Sequence, residues 1–71
     1  MKVKVTWINI NPFVYDLRNM TRISEAEVPD EMSYGIIADF AREATPEGFR
    51  LRSIDIEGKV SQYDYNGNKI Q

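Results

Sequence analysis

Histidine and cysteine are both absent from the 71 residues of this chain. Their absence removes the commonest general base, the usual nucleophile pairs and nearly every zinc ligand set. Catalysis would have to run on carboxylates, tyrosine or lysine alone. Asp30, Glu31, Asp39 and Glu43 lie near enough in sequence to form paired acids, but at helical spacing they read as solvated surface charges, so no enzyme is expected. Asp64-Tyr65-Asn66-Gly67-Asn68 places oxygen-bearing side chains around a glycine, as the start of an EF-hand calcium loop does. Gly67 stands fourth there instead of sixth, and no distal glutamate follows, so a hairpin tip is expected and no metal site. The four glycines stand singly, at positions 35, 48, 58 and 67. None forms a phosphate-cradling loop, and no cofactor is expected.

Two charge groupings remain as candidates for binding. Residues 1–24 carry four basic and one acidic side chain, residues 25–48 one basic and seven acidic, and residues 49–71 four basic and three acidic. The middle of the chain is therefore an acidic pole within a formal net charge of −2. If that segment is a helix, Glu31, Asp39 and Glu43 lie on its outer side, with Glu25, Glu27, Asp30 and Glu47 around its ends. Gly35 and Ala38 would leave a shallow flat on that side, which Arg42 shares, with Tyr34, a residue type favoured at interface hot spots, at its flank. Glu31, Tyr34, Gly35, Ala38, Asp39 and Arg42 are accordingly the expected partner-binding set, facing a protein with a basic surface. The second grouping is Lys2, Lys4, Arg18, Arg22, Arg50 and Arg52, interleaved with Trp7, Phe13, Tyr15 and Phe49. Arg18, Arg22, Arg50 and Arg52 could form a nucleic-acid platform on a sheet face. Strand alternation puts most of those aromatics in the core, however, and nucleic acid is the less favoured partner.

These side chains need a scaffold, and the pattern supplies one. Val3, Val5 and Trp7 alternate with Lys2, Lys4 and Thr6, which predicts a half-buried strand over about 2–8. Asn9, Asn11 and Pro12 predict a turn, and Phe13, Tyr15 and Leu17 predict a second strand whose far end, Asn19 to Ile23, is weakly patterned. A helix is predicted over about 29–44: Pro29 suits its first position, Asp30 and Glu31 complement its dipole, and Pro46 with Gly48 closes it. At 100° per residue its buried stripe is Met32, Ser33, Ile36, Ile37, Phe40 and Ala44. Phe49 and Leu51 share one strand phase and Ile54 and Ile56 the other, so a β-bulge is predicted at Arg52 and Ser53. Gly58-Lys59 predicts a two-residue turn that sets Ile56 beside Ser61 and Ile54 beside Tyr63. Asn66-Gly67 predicts a type I′ hairpin that opposes Tyr63 to Ile70 and Asp64 to Lys69. The segment Tyr63-Asp64-Tyr65-Asn66-Gly67-Asn68 also resembles one unit of the tyrosine-aspartate repeats of large secreted shell proteins. In a single copy that resemblance implies a hairpin only.

The chain thus reads as one small α+β domain over residues 1–71. It is a two-layer sandwich with one helix on an antiparallel sheet of four to five strands, in the order β-β-α-β-β with a short final strand. The absence of cysteine and of any long apolar run leads to the expectation of a cytoplasmic protein with no leader, no membrane span and no membrane partner. The expected function is a non-catalytic intracellular interaction or inhibitory protein, of the small accessory type that phages and mobile elements encode. Its acidic helix face would dock on a basic partner. The alternative is a small nucleic-acid-binding module, and self-association through a strand edge near the C-terminus is a third expectation.

Overall fold

A computed structural model describes residues 1–11 and 13–70; the part of the turn prediction that rests on Pro12 lies outside the described residues. The first strand, β1, spans Lys2–Asn9, and its alternation buries Val3 and Trp7. It lies inside a four-stranded antiparallel sheet with β2 (Thr21–Glu27), β3 (Phe49–Ile56) and β4 (Lys59–Gln62), in the spatial order β2-β1-β3-β4. The helix α2, Tyr34–Glu43, connects β2 to β3, crossing over β1, which lies between them. The architecture is the expected α+β sandwich. The core joins Ile37, Ala38 and Ala41 of α2 to Val3, Trp7, Leu51, Ile54, Ile56 and Tyr63 of the sheet side. Trp7 Nε1 donates to the Ala41 carbonyl at 3.1 Å, which satisfies the one polar atom of a buried indole.

The predicted bulge is present. Thr6 pairs with Ser53 and Trp7 with Leu51, so Arg52 is the extra residue. It restores the inward phase, and Leu51 and Ile54 are both buried, Ile54 at 1% exposure.

The predicted second strand forms later than expected. Residues 13–16 are irregular, and Leu17–Met20 is a short helix, α1. Asp16 diverts the chain: its carbonyl accepts from Asn19 N at 2.9 Å and Met20 N at 2.8 Å, and its Oδ1 from Arg18 N at 3.0 Å, the capping chemistry of an aspartate at a helix start. Phe13 and Tyr15 are consequently 78% and 81% exposed instead of in the core. The asparagines act as expected, Asn9 Oδ1 accepting from Asn11 N at 2.8 Å and Asn11 Oδ1 from Phe13 N at 3.0 Å.

The helix begins five residues after Pro29. Pro29 O accepts from Met32 N at 3.1 Å in a turn, and Ser33, expected in the buried stripe, is the N-cap, its Oγ accepting from Ile36 N at 3.2 Å. The buried side is also rotated: Ile37, Ala38 and Ala41 face the sheet, whereas Ile36 and Phe40 are 49% and 59% exposed. Two alanines let the helix backbone approach the sheet closely enough for the Trp7 hydrogen bond, which the larger Ile36 and Phe40 would prevent.

Both turn registers differ from expectation. The β3–β4 turn is Glu57-Gly58, with φ of 51° and 85°, so Ile56 pairs with Lys59 and Ile54 with Ser61. Gly58 takes the second of two positive-φ positions, the type I′ arrangement. Glu57 is fastened from outside: its Oε1 accepts from Lys2 N at 2.6 Å and its own N donates to Lys2 O at 3.1 Å. At the C-terminal tip the loop is Tyr65–Gly67 instead of Asn66-Gly67, with Gly67 at φ 83°. Asp64 Oδ1 draws in Asn66 N and Asn68 N, each at 2.9 Å, and Tyr63 bridges to Lys69. The expected Tyr63–Ile70 and Asp64–Lys69 pairs do not form.

Candidate functional site

The expected partner-binding residues do not share one surface. Ala38 is 6% exposed and packs in the core, which removes it from the outer face of α2. Gly35 is open, with nothing within 4 Å of where a Cβ would stand, and Glu31 and Tyr34 are exposed beside it. Asp39 is tied to Arg42 by a 3.0 Å ion pair. Arg42 also donates from Nε to Gly67 O at 2.8 Å and lies 5.5 Å from the centre of the Tyr63 ring. It clamps the C-terminal loop to the helix, and its guanidinium is engaged within the chain.

The four arginines of the alternative site are divided as well. Arg22 pairs with Trp7 on the helix side of the sheet and lies 5.1 Å from the Phe49 ring centre. Arg50 pairs with Ile8 on the opposite face and stacks 5.6 Å from Tyr65. Arg52 stands at the bulge and Arg18 on α1. On the open face of the sheet the register sets Lys2 beside Glu27, and Lys4 between Glu25 and Asp55. Opposite charges therefore alternate across the sheet at this end, while Arg50 at the other end stands opposite the apolar Ile8.

The surface that sequence reasoning missed is a groove between α2 and β2. It is lined chiefly by Val5, Ala26, Val28, Met32, Phe40 and Ala44. It exists because α2 settles toward β3, leaving β2 without a cover: Arg22 to Glu27 are exposed on both faces of the strand. Ile36, one helical turn before Phe40, extends the apolar stripe outward. None of its lining residues is acidic: Asp30 and Glu31 precede Met32 and Glu43 follows Phe40 by three, whereas Glu25 and Glu27, alternating with Ser24 and Ala26, point to the opposite, open face of the sheet. The signal was present in the Ile36/Phe40 spacing but pointed to the wrong side of the helix.

One further polar cluster joins the chain's start to the β2–α2 loop. The Met1 ammonium donates to Val28 O and to Asp30 Oδ1, both at 2.7 Å, and lies 3.5 Å from Glu27. The hydrogen bond to Asp30 raises the ammonium pKa above its ordinary 8.0 against a smaller opposing desolvation, with the charges of Asp30 and Glu27 adding to the rise. The same bond lowers the Asp30 carboxyl below 3.8. Among the described residues, no group of three or more carboxylates is arranged to hold a metal ion. None of the described helices is long and apolar enough to cross a membrane.

No protein-family model, curated protein or solved structure matches this chain.

Proposed function

We propose that the protein is a non-catalytic protein-interaction module whose docking surface is the groove between α2 and β2, and that its partner is a protein with a basic surface. The observation that carries this reading is the exposure of Ile36 and Phe40 on the helix flank beside an uncovered apolar trough. Of the ten large apolar side chains exposed among the described residues, Phe40 lines this trough and Ile36 stands one helical turn before it, which gives a docking surface its apolar centre. Asp30, Glu31 and Glu43, on the loop and helix that border the groove, supply an acidic rim, and Glu25 and Glu27 continue the negative charge onto the open face at the β2 edge; together they steer a basic partner. This reading keeps the expected acidic docking but moves it from the Gly35 flat to the β2 side of the helix.

The test is affinity capture with the wild-type chain and with two variants whose folding is verified by circular dichroism. Ile36→Ser combined with Phe40→Ser is expected to lose a basic partner that Gly35→Arg retains. The opposite pattern returns the interface to the Gly35 flat, and equal capture by all three chains removes the helix from the interface.

A nucleic-acid reading draws support from one observation, the outward position of Phe13 and Tyr15. The separation of Arg22 from Arg50 by the thickness of the sheet counts against it. It requires salt-dependent binding to single-stranded DNA or RNA, and absence of binding at low salt eliminates it.

A further inference from the structure

We infer that the outer edge of β2 accepts an added strand from the partner, and that this strand alternates apolar and basic residues. The inference rests on the groove reading above and specifies how the partner is held.

β2 ends the sheet in the order β2-β1-β3-β4. It pairs with β1 over seven consecutive positions with no register shift. Along Arg22 to Glu27 it has no proline, no lysine and no bulge; its charged side chains, Glu25 and Glu27 on the open face and Arg22 on the helix side, blunt it toward strands of like charge and leave it to one that brings basic residues to the open face. The other edge is shorter, and the C-terminal segment folds back onto its end, Ile70 N donating to Gln62 O at 2.8 Å. The expected adhesive edge near the C-terminus is thus partly occupied, and the longer open stretch is Arg22 to Glu27 of β2.

The inner edge of β2 shows what its side chains select. β1 offers Lys2 to Glu27 and Lys4 to Glu25 on the open face, and Val3 to Ala26 and Val5 to Ser24 on the helix side. An added strand, one strand spacing of about 4.8 Å further out, meets the same four β2 side chains from the other side. Its basic residues then lie beside Glu25 and Glu27. Its apolar residues lie beside Ser24 and Ala26, at the mouth of the groove where Phe40 is exposed. This is strand addition in which backbone bonds give affinity and alternate side chains give specificity.

A second copy of the chain is the poorer occupant. Antiparallel pairing of two β2 strands opposes residues of the same face, and that face carries Glu25 and Glu27 from each copy while both Arg22 side chains lie on the other. Glutamates of the two copies would face one another across the new ladder, with Lys2 and Lys4 only on the far side of each, one strand further in, and like charges across a ladder are destabilising.

The probe is a blocked synthetic peptide alternating lysine and valine, matched in length to residues 22–27, titrated into the unmodified protein and followed by amide NMR shifts. The expected result is binding with shifts concentrated on Arg22 to Glu27. Affinity should fall by about tenfold or more for a scrambled peptide of equal composition, and likewise for an alternating glutamate–valine peptide. N-methylating alternate amides of the lysine–valine peptide should abolish binding in one phase and spare it in the other. Equal affinity for the scrambled peptide overturns strand addition while leaving the acidic groove as a docking surface. Equal affinity for the glutamate peptide overturns the charge rule. Binding of none of these peptides removes the groove reading too, and a concentration-dependent dimer whose interface shifts map to β2 overturns the inference in favour of a second copy.

Discussion

Gly35 and Gly58 make opposite demands on their positions. Gly35 is the second residue of α2, with open space where a Cβ would go, so Gly35→Ala is expected to stabilise the fold by about 0.5 kcal/mol, less than in a helix interior, by raising helix propensity and lowering unfolded-chain entropy. Gly58 lies at φ 85° in the Glu57-Gly58 turn, where an L side chain is strained whatever the space around it. Gly58→Ala is expected to cost about 1 kcal/mol. Urea midpoints of the two variants against the parent measure both, and shifts of the same sign would contradict this account of the turn. The contrast also explains the misplaced β3–β4 register. A glycine next to a lysine reads as the first residue of a two-residue turn, whereas Gly58 is the second, because Glu57 accepts a positive φ of 51° while its carboxylate and backbone N–H are both bonded to Lys2.

At the scale of elements, legibility followed the contrast between the two faces of each segment. β1 and β3 were readable, bulge included, because one face of each is apolar and buried and a slip of one residue would turn it outward. β2 was nearly invisible because both its faces are exposed and Arg22 to Glu27 carry no alternation of apolar residues. The aromatics ahead of it imitated a strand, but local hydrogen bonding by Asp16 turns the chain into α1 instead. The helix was legible as an element; its start and its buried side were not. Ser33 supplies a cap that Pro29 cannot, and close approach at Ala38 and Ala41 outweighs the larger stripe of Ile36 and Phe40. The cap is therefore a strong test of the corrected start. Ser33→Ala is expected to cost about 1 kcal/mol, read as a lower urea midpoint, while an unchanged midpoint would return the start of the helix toward Pro29. Of the candidate surface, the sequence disclosed the acidic rim and the apolar spacing. Their meeting beside β2 depends on where α2 settles across the sheet, which no local pattern encodes.

Across the whole molecule, β1 joins the two halves of the sheet, and its start is secured by the Met1 ammonium on Asp30 and Val28. The raised ammonium pKa contributes stability that is fully present below about pH 8 and is lost as pH climbs through the folded value. The lowered Asp30 pKa contributes stability present above about pH 3.8 and lost as pH falls through its own folded value. The pair therefore supports the fold between those limits, modestly because both groups meet solvent. Asp30→Asn should flatten both flanks of a plot of urea midpoint against pH, and a profile parallel to the parent's would show that the contact contributes nothing. The buried indole of Trp7 has a consequence of another kind. It is the chain's single tryptophan, it bonds to the Ala41 carbonyl and it also lines the floor of the groove. Its intrinsic fluorescence is therefore a built-in gauge, its emission shifting to the red if α2 lifts from the sheet and changing while the fold stays intact when a ligand lacking tryptophan fills the groove.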